Sequence, residues 1–188
     1  MLSGRARPVD RRGDGGVVAV ETAIVSLFLS LVLFGIVYTA FLLRDWIFVS
    51  SAARAGARMG SSEPMGPNFA DDSAAQVTNA MAGLIPANIQ EVWVYKATYA
   101  TGLPDSGSFA SCTVCVKYTW NGTKLQQSSN GWDPNSQNAC AGDPNRDALG
   151  VYVKYKHTSL GWLFNNATVS ESTVMLIEPL SISTMCKP

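Results

Sequence analysis

The sequence predicts an α+β protein in which a long N-terminal transmembrane helix continues into a small outer domain with a second helix and a roughly four-stranded antiparallel sheet. Three observations predict this architecture. An apolar run at residues 17–43 contains one charged side chain, Glu21. An Ala-rich segment continues the helical pattern to Gly60. Four later segments alternate apolar and polar residues with the period of a β-strand.

The composition is consistent with one compact domain and an appendage. The chain has 188 residues, and its 14 basic and 14 acidic side chains balance to a formal charge of zero. A nucleic-acid-binding protein needs a basic face to neutralise phosphates, so this balance argues against a nucleic-acid partner. The charged fraction of 15% is low compared with about 25% in ordinary soluble domains, partly because the apolar run is almost uncharged.

Residues 1–16 form a basic leader, and residues 17–43 form the predicted transmembrane helix. About 20 apolar residues suffice to cross a hydrocarbon core roughly 30 Å thick. The four arginines before the run predict a cytoplasmic N-terminus and an extracytoplasmic domain after Leu43, because positive charge is retained inside. The competing interpretation is a cleaved secretory signal, whose apolar region is only about 7–15 residues long. We therefore expect a single-pass protein that keeps its helix in membrane lipid.

Glu21 is the most informative residue, because a carboxylate in a spanning helix costs roughly 3 kcal/mol and usually has a partner or a purpose. If a protease cut between Gly16 and Val17, the new α-ammonium group of Val17 would lie one helical turn from Glu21. The helix dipole also favours an acid at this end of the helix. Such a pair would set the axial register of packed helices. The alternative is that Glu21 lies at the interfacial edge of an ordinary anchor.

The residues around this site resemble the TadE-like family, which comprises minor pilins or pseudopilins of bacterial tight-adherence (Tad) pili. The similarity covers three segments, namely RRGDGGVVAVE at 11–21, FGI at 34–36 and AARAGAR at 52–58. The stretch STVMLIEP at 172–179 is also similar to the ending of such proteins. Thr22 follows the Glu, where the family often has an aromatic residue.

The resemblance implies a pilin-like fold and a structural role as a minor pilin or pseudopilin of a Tad-type pilus assembly or secretion system. Gly16 would be the last leader residue, Val17 the first mature residue and Glu21 the fifth mature position. A prepilin peptidase would remove the leader on the cytoplasmic side, although some TadE-like proteins are not cut. The other partners would be pilins or pseudopilins of the Tad system, with incorporation into a surface pilus as a further implication.

Residues 44–60 are expected to extend the helix outside the bilayer. Gly60, with Pro64 soon after it, ends the helical pattern. Ala53, Ala57 and Gly60 form a seam of small residues that allows another backbone to approach closely. The seam packs either on the protein's own sheet or on another chain, and the sequence leaves both open.

Residues 61–188 form the predicted outer domain. Asp71 and Asp72 are expected to cap a second helix that runs to about Leu84. The four strands are expected at 89–99, 112–120, 150–158 and 167–177. The connecting segments are a chain reversal at Asn121-Gly122, a long polar surface loop at 126–149, and a short helix or turn at Trp162-Leu163-Phe164 that covers one edge of the sheet.

The four cysteines are all disulfide candidates, because they fall on the outer side, where disulfides persist: Cys112, Cys115, Cys140 and Cys186. Four cysteines allow three full pairings, among which the sequence does not choose. On a regular strand Cys112 and Cys115 point to opposite faces, which disfavours a bond between them. A bridge from one of them to Cys140 would pin the long loop to the sheet and contribute about 2–4 kcal/mol.

The sequence contains no pattern of catalytic residues, so we expect neither an enzyme nor a cofactor. The single C-x-x-C is weak support for zinc and falls in a predicted strand, whereas redox motifs begin a helix. His157, the only histidine, is expected to be structural or solvent-facing. G-x-S-x-G, H-E-x-x-H and Gly-rich phosphate loops do not occur.

The alternative function is a single-pass, membrane-anchored extracellular binding or adhesion domain with no filament role. In that case the long polar loop contacts the ligand, and the sequence of the helix is interchangeable with that of any other anchor.

Overall fold

The computed structural model of the chain describes residues 14–158 and 167–180. Within these residues lie two α-helices and one five-stranded sheet, joined by connections that contain three short 3₁₀ helices. The elements are α1 (Asp14–Ser61), α2 (Phe69–Ala80), β1 (Ile89–Ala97), β2 (Cys115–Trp120), β3 (Leu125–Asn130), β4 (Ala148–His157) and β5 (Ala167–Leu176). The predicted α+β class is confirmed, with five strands where roughly four were expected. The expected helix or turn at Trp162-Leu163-Phe164 lies outside the described residues.

Helix α1 is unbroken over 48 residues, and it contributes to both of the compact units into which the chain divides between Phe41 and Leu42. Its first part is built from Leu, Val, Ile, Ala and Phe and contains no proline. It ends at Ser61 because Pro64 follows closely, and Ser62 closes the last turn with an N–H bond of 3.1 Å to the carbonyl oxygen of Arg58.

The small-residue seam of α1 packs inside its own outer domain. Ala53 and Ala57 are fully buried. At Gly56 an added Cβ would lie 2.6 Å from the Cγ2 of Val77 in α2, so only glycine permits this approach of the two helices. The buried hydroxyl of Ser73 donates a hydrogen bond of 2.8 Å to the carbonyl oxygen of Gly56. Of the two interpretations that the sequence left open, packing within the protein is the one observed.

Helix α2 begins two residues before the predicted cap and ends earlier than predicted. Its N-cap is Asn68, which makes no side-chain capping bond, and Asp71 lies in the first turn, where the helix dipole favours an acid. The expected capping by Asp71 and Asp72 is therefore wrong. The helix ends at Ala80, and Leu84 is buried beyond its end, which explains why its apolar spacing suggested a longer helix.

The sheet has the strand order β3-β2-β1-β4-β5, and all of its pairings are antiparallel. Val94 of β1 lies between Val116 of β2 and Val151 of β4. These valines belong to the main hydrophobic core, together with residues of α2 and the outer part of α1. Alternate residues of the central strands therefore meet the helices, as the period-two pattern predicts.

Strand β3 lies within the segment that was predicted to be mostly loop. The Asn121-Gly122 turn reverses the chain as expected, with the Asn121 side-chain oxygen accepting N–H bonds from Thr123 (3.0 Å) and Lys124 (2.9 Å). The sequence of β3, LQQSSN, does not alternate between apolar and polar residues. The reason is that β3 is an edge strand whose residues are almost all exposed. The prediction of a loop over 126–149 is therefore wrong for its first five residues, and also for Ala148 and Leu149, which belong to β4.

The second face of the sheet carries a smaller core. Tyr95, Cys115 and Ala148 are buried there, and the connection between β1 and β2 folds over them. Phe109 of this connection packs on Tyr95, with ring centroids 5.3 Å apart. The Tyr95 hydroxyl donates a hydrogen bond of 2.7 Å to the carbonyl oxygen of Gly102 in the same connection.

Candidate functional site

The N-terminal part of α1 presents a continuous apolar surface. Its large side chains are exposed, as illustrated by Val17 at 70% and Phe28 at 69%. Helical residues Gly16–Ser61 include a stretch that is long and apolar enough to cross a membrane. An exposed apolar surface of this extent marks a membrane or protein contact. The helix is compatible with a single-pass membrane anchor.

The predicted processing and registration residues all lie on this part of α1. Gly16 has open space around it, since nothing lies within 4 Å of an added Cβ. Val17 and Glu21 are exposed and lie four residues apart in continuous helix, which places them on one face. An amine released at Val17 and the Glu21 carboxylate would therefore be neighbours on the helix surface.

Serine and threonine hydroxyl groups on this part of the helix donate hydrogen bonds to backbone carbonyl oxygens of the same helix. Thr22 donates to the carbonyl oxygen of Val18 at 2.8 Å. The same arrangement recurs three more times along the helix, with Ser26 on Ala23 (2.9 Å), Ser30 on Ser26 (2.7 Å) and Thr39 on Gly35 (2.8 Å). Since a polar group in hydrocarbon needs an internal partner, these bonds make the helix suitable for a lipid environment.

Three consecutive residues of α1, Arg44, Asp45 and Trp46, lie near the start of the second compact unit, which begins at Leu42. Their side chains bond to other elements of that unit. Asp45 lies with its Oδ2 2.6 Å from the Nδ1 of His157, and both residues are buried. Arg44 donates a hydrogen bond of 2.8 Å to the carbonyl oxygen of Gly83. The indole N–H of Trp46 donates to the carboxylate of Glu171 in β5. The described residues thus confirm a structural position for His157.

The position of Asp45 directly after the apolar run does not by itself predict that this carboxylate is buried. A signal for that burial exists in the helical spacing. Asp45, Val49 and Ala52 stand at positions i, i+4 and i+7, which share one helix face, and Val49 and Ala52 are fully buried.

The cysteines differ from the expected arrangement. Cys112 and Cys115 are free thiols, so neither is bridged to Cys140, which was one of the pairings that the sequence left open. Strand β2 begins at Cys115, while Cys112 ends a 3₁₀ turn at 109–111 that interrupts the extended chain. Strand alternation therefore does not apply to this pair. Cys140 is not free, and Cys186 lies outside the described residues.

The two free thiols are three residues apart. The Cys115 thiol donates a hydrogen bond of 3.1 Å to the backbone carbonyl oxygen of Cys112. Burial, and then a hydrogen bond with the Cys115 side chain that favours the protonated form, raise the pKa of Cys112 to about 12. In the described part of the chain, no three His, Cys, Asp or Glu side chains come together as a metal site.

The comparison with protein families finds a match within α1. A family model described as TadE-like protein matches residues 16–58, the segment that contains Gly16, Val17, Glu21 and the small-residue seam. No significant match was found among curated proteins or among solved structures. The resemblance to the TadE-like family is thus confirmed over residues 16–58.

Proposed function

We propose that the chain is a minor pilin or pseudopilin of a Tad-type pilus assembly or secretion system. One observation carries the proposal, namely that the segment matched by the TadE-like family model includes the exposed apolar run at 17–43, whose one carboxylate is Glu21. The TadE-like family is structural and not known to be enzymatic. The partners are other pilins or pseudopilins of the same system, a prepilin peptidase and membrane lipid.

The leader is removed by cleavage between Gly16 and Val17 on the cytoplasmic side. The arginines before Gly16 hold the N-terminus inside, and the outer domain then lies outside the cell. Cleavage releases an α-ammonium group one turn from Glu21. Pairing of the two groups, within one chain or between neighbours, offsets the roughly 3 kcal/mol cost of a carboxylate in the spanning helix.

The N-terminal sequence and intact mass of the protein from membranes of its native host test the processing step. We expect a mature chain that begins at Val17. Gly16→Leu is the matched variant, because the open space at Gly16 accommodates a side chain, and it should accumulate as the uncleaved chain. Gly35→Ala, at another open position, should be processed normally. A wild-type chain that still begins at Met1 would contradict the proposed cleavage.

Glu21→Ala tests the role in assembly. We expect unchanged membrane insertion, because one charge fewer favours the lipid environment, together with a loss of surface pili in electron micrographs and in sheared fractions. Normal piliation of this variant would overturn the registration role. Exchange of residues 17–43 for an unrelated spanning helix separates a pilin, which then fails to assemble, from a membrane-anchored binding domain, which keeps its function.

We also propose that Cys140 is bridged to Cys186. Cys140 is not free, whereas Cys112 and Cys115 are free thiols. Leu180 donates an N–H bond of 2.8 Å to the carbonyl oxygen of Ala139, which brings the C-terminal chain beside Cys140 six residues before Cys186. Non-reducing peptide mapping should recover the two cysteines in one cross-linked species, and a Cys186 that is freely alkylated in the native chain would refute the bridge.

A further inference from the structure

The connection between β1 and β2 covers the second face of the sheet and ends in two neighbouring cysteines, with the Sγ of Cys115 3.1 Å from the backbone carbonyl oxygen of Cys112. Phe109 anchors this connection by ring contacts with Tyr152 (centroids 4.6 Å apart), Tyr95 (5.3 Å) and Trp93 (5.9 Å). Cys112 closes the turn that carries Phe109, and Cys115 begins β2. A bond between the two sulfurs would therefore join the end of the covering connection to the edge of the core.

The surroundings of the two thiols favour a pair that is oxidised by another molecule over a pair that catalyses oxidation. Catalytic C-x-x-C thiols have a lowered pKa. Here burial raises the pKa of Cys112 to about 12. Cys115 is only 2% exposed and belongs to the smaller core, whereas Cys112 is partly exposed.

We propose that Cys112 and Cys115 form a site of disulfide modification, at which an extracytoplasmic disulfide carrier closes the pair and locks the β1–β2 connection over the sheet. The closing of the pair in cells rests on the proposed function, because that function places the domain outside the cell, where disulfides persist.

The exchange is balanced in two steps. The more accessible Cys112 loses its proton to solvent and its thiolate attacks one sulfur of the carrier's disulfide, releasing the carrier's second sulfur as a thiolate. Cys115 then loses its proton, and its thiolate attacks the Cys112 sulfur and releases the carrier's first sulfur. Two protein thiols are oxidised to one disulfide, and the carrier's disulfide is reduced to two thiols.

Peptide mapping of the full chain in detergent micelles tests the site, with oxidised glutathione as the probe. Cleavage after Lys96 and Lys117 yields a peptide, 97–117, that contains Cys112 and Cys115 and no other cysteine. After oxidation we expect this peptide to be two hydrogens lighter than its reduced form and to resist alkylation. Recovery with both thiols alkylated, or with Cys112 joined to glutathione or to another peptide, would overturn the proposal.

Limited proteolysis tests the locking of the connection. Cleavage within residues 98–111 should be about tenfold faster in the reduced chain than in the oxidised chain, because an open connection is cut more readily. The Cys112→Ser variant should be cut at the fast rate under both conditions. Equal rates in the oxidised and reduced wild-type chain would refute the lock.

The peptide from native membranes separates the two proposals. A closed peptide there supports both. If the bond forms in micelles but both thiols are free in membranes, the outer location is contradicted and, with it, closing of the pair in cells.

Discussion

Asp45 and His157 form a buried pair across 112 residues of sequence, with the Oδ2 of the carboxylate 2.6 Å from the Nδ1 of the imidazole. Asp45 is 8% exposed and His157 is 5% exposed. Since polar groups removed from water need partners, each residue restricts where the other can lie. The pair therefore fixes the rotation of the outer part of α1 about its axis with respect to the end of β4.

Asp45→Asn should destabilise the outer domain by about 1–3 kcal/mol, because it weakens a buried hydrogen bond to His157. Urea unfolding of the full chain in micelles, followed by tryptophan fluorescence, measures the change. Asp105→Asn is the control, since Asp105 is exposed and should tolerate the same substitution. Equal losses in the two variants would show that the pair has no special role.

Gly150→Ala should destabilise the domain by roughly 1–3 kcal/mol through overpacking. An added Cβ at Gly150 would lie 2.3 Å from the Cζ of Tyr95, a fully buried ring that has no room to move. Thermal unfolding measures the loss. Gly35→Ala, with nothing within 4 Å of the added Cβ, should unfold at the wild-type temperature. A Gly150→Ala variant as stable as wild type would show that Tyr95 can relax.

Glu63→Gln should leave the melting temperature at pH 7 unchanged or slightly higher. Burial, then the charge of Asp72 and a hydrogen bond with it, raise the pKa of Glu63 above its ordinary value of 4.5. A carboxyl whose pKa is raised by folding contributes stability at low pH, and this contribution is lost as the pH rises through that raised value. The variant should therefore lose less stability than wild type between pH 4 and 7. A steeper loss in the variant would contradict the assignment.

Tyr95→Phe should reduce the loss of stability in alkali. Burial raises the pKa of Tyr95 from 10.0 to about 12. Between these values the unfolded chain releases the phenolic proton while the folded chain keeps it, so folding becomes less favourable as the pH rises. Denaturant midpoints from pH 9 to 12 should fall less steeply in the variant. The exposed Tyr99→Phe should leave the slope unaltered, and a slope in Tyr95→Phe equal to that of wild type would refute the cause.

The elements that the sequence predicted correctly are those with a strong local pattern. The apolar run of α1 is recognised by its length and composition, and the alternating strands around Val94, Val116 and Val151 by a period that records which face is buried, so neither needs long-range information. Edge strand β3 was missed because it lacks such a local pattern. It buries neither face, and its polar sequence, LQQSSN, does not differ from that of a loop.

The candidate site divides in the same way. Val17 and Glu21 are four residues apart, so helical geometry alone places them on one face, directly after Gly16. The fastening of Asp45 to His157 depends on how α1 meets β4, which sequence spacing does not encode. The proximity of Cys112 and Cys115 depends on the 3₁₀ turn at 109–111, where Phe109 packs on the sheet, and on the start of β2 at Cys115 instead of Cys112.

The bonded hydroxyls of α1 have a consequence for partner choice. Thr22, Ser26, Ser30 and Thr39 direct their donor hydrogens to the helix's own carbonyl groups. A neighbouring helix thus contacts only methyl and methylene groups at these four positions. Such a contact selects a partner by the shape of its surface and not by its hydrogen-bonding groups. Glu21 is the only charged side chain between Val17 and Leu43. Discrimination between the right and the wrong neighbour in the membrane would then rest on one carboxylate, and a helix lacking the complementary amine would be excluded by electrostatics and not by fit.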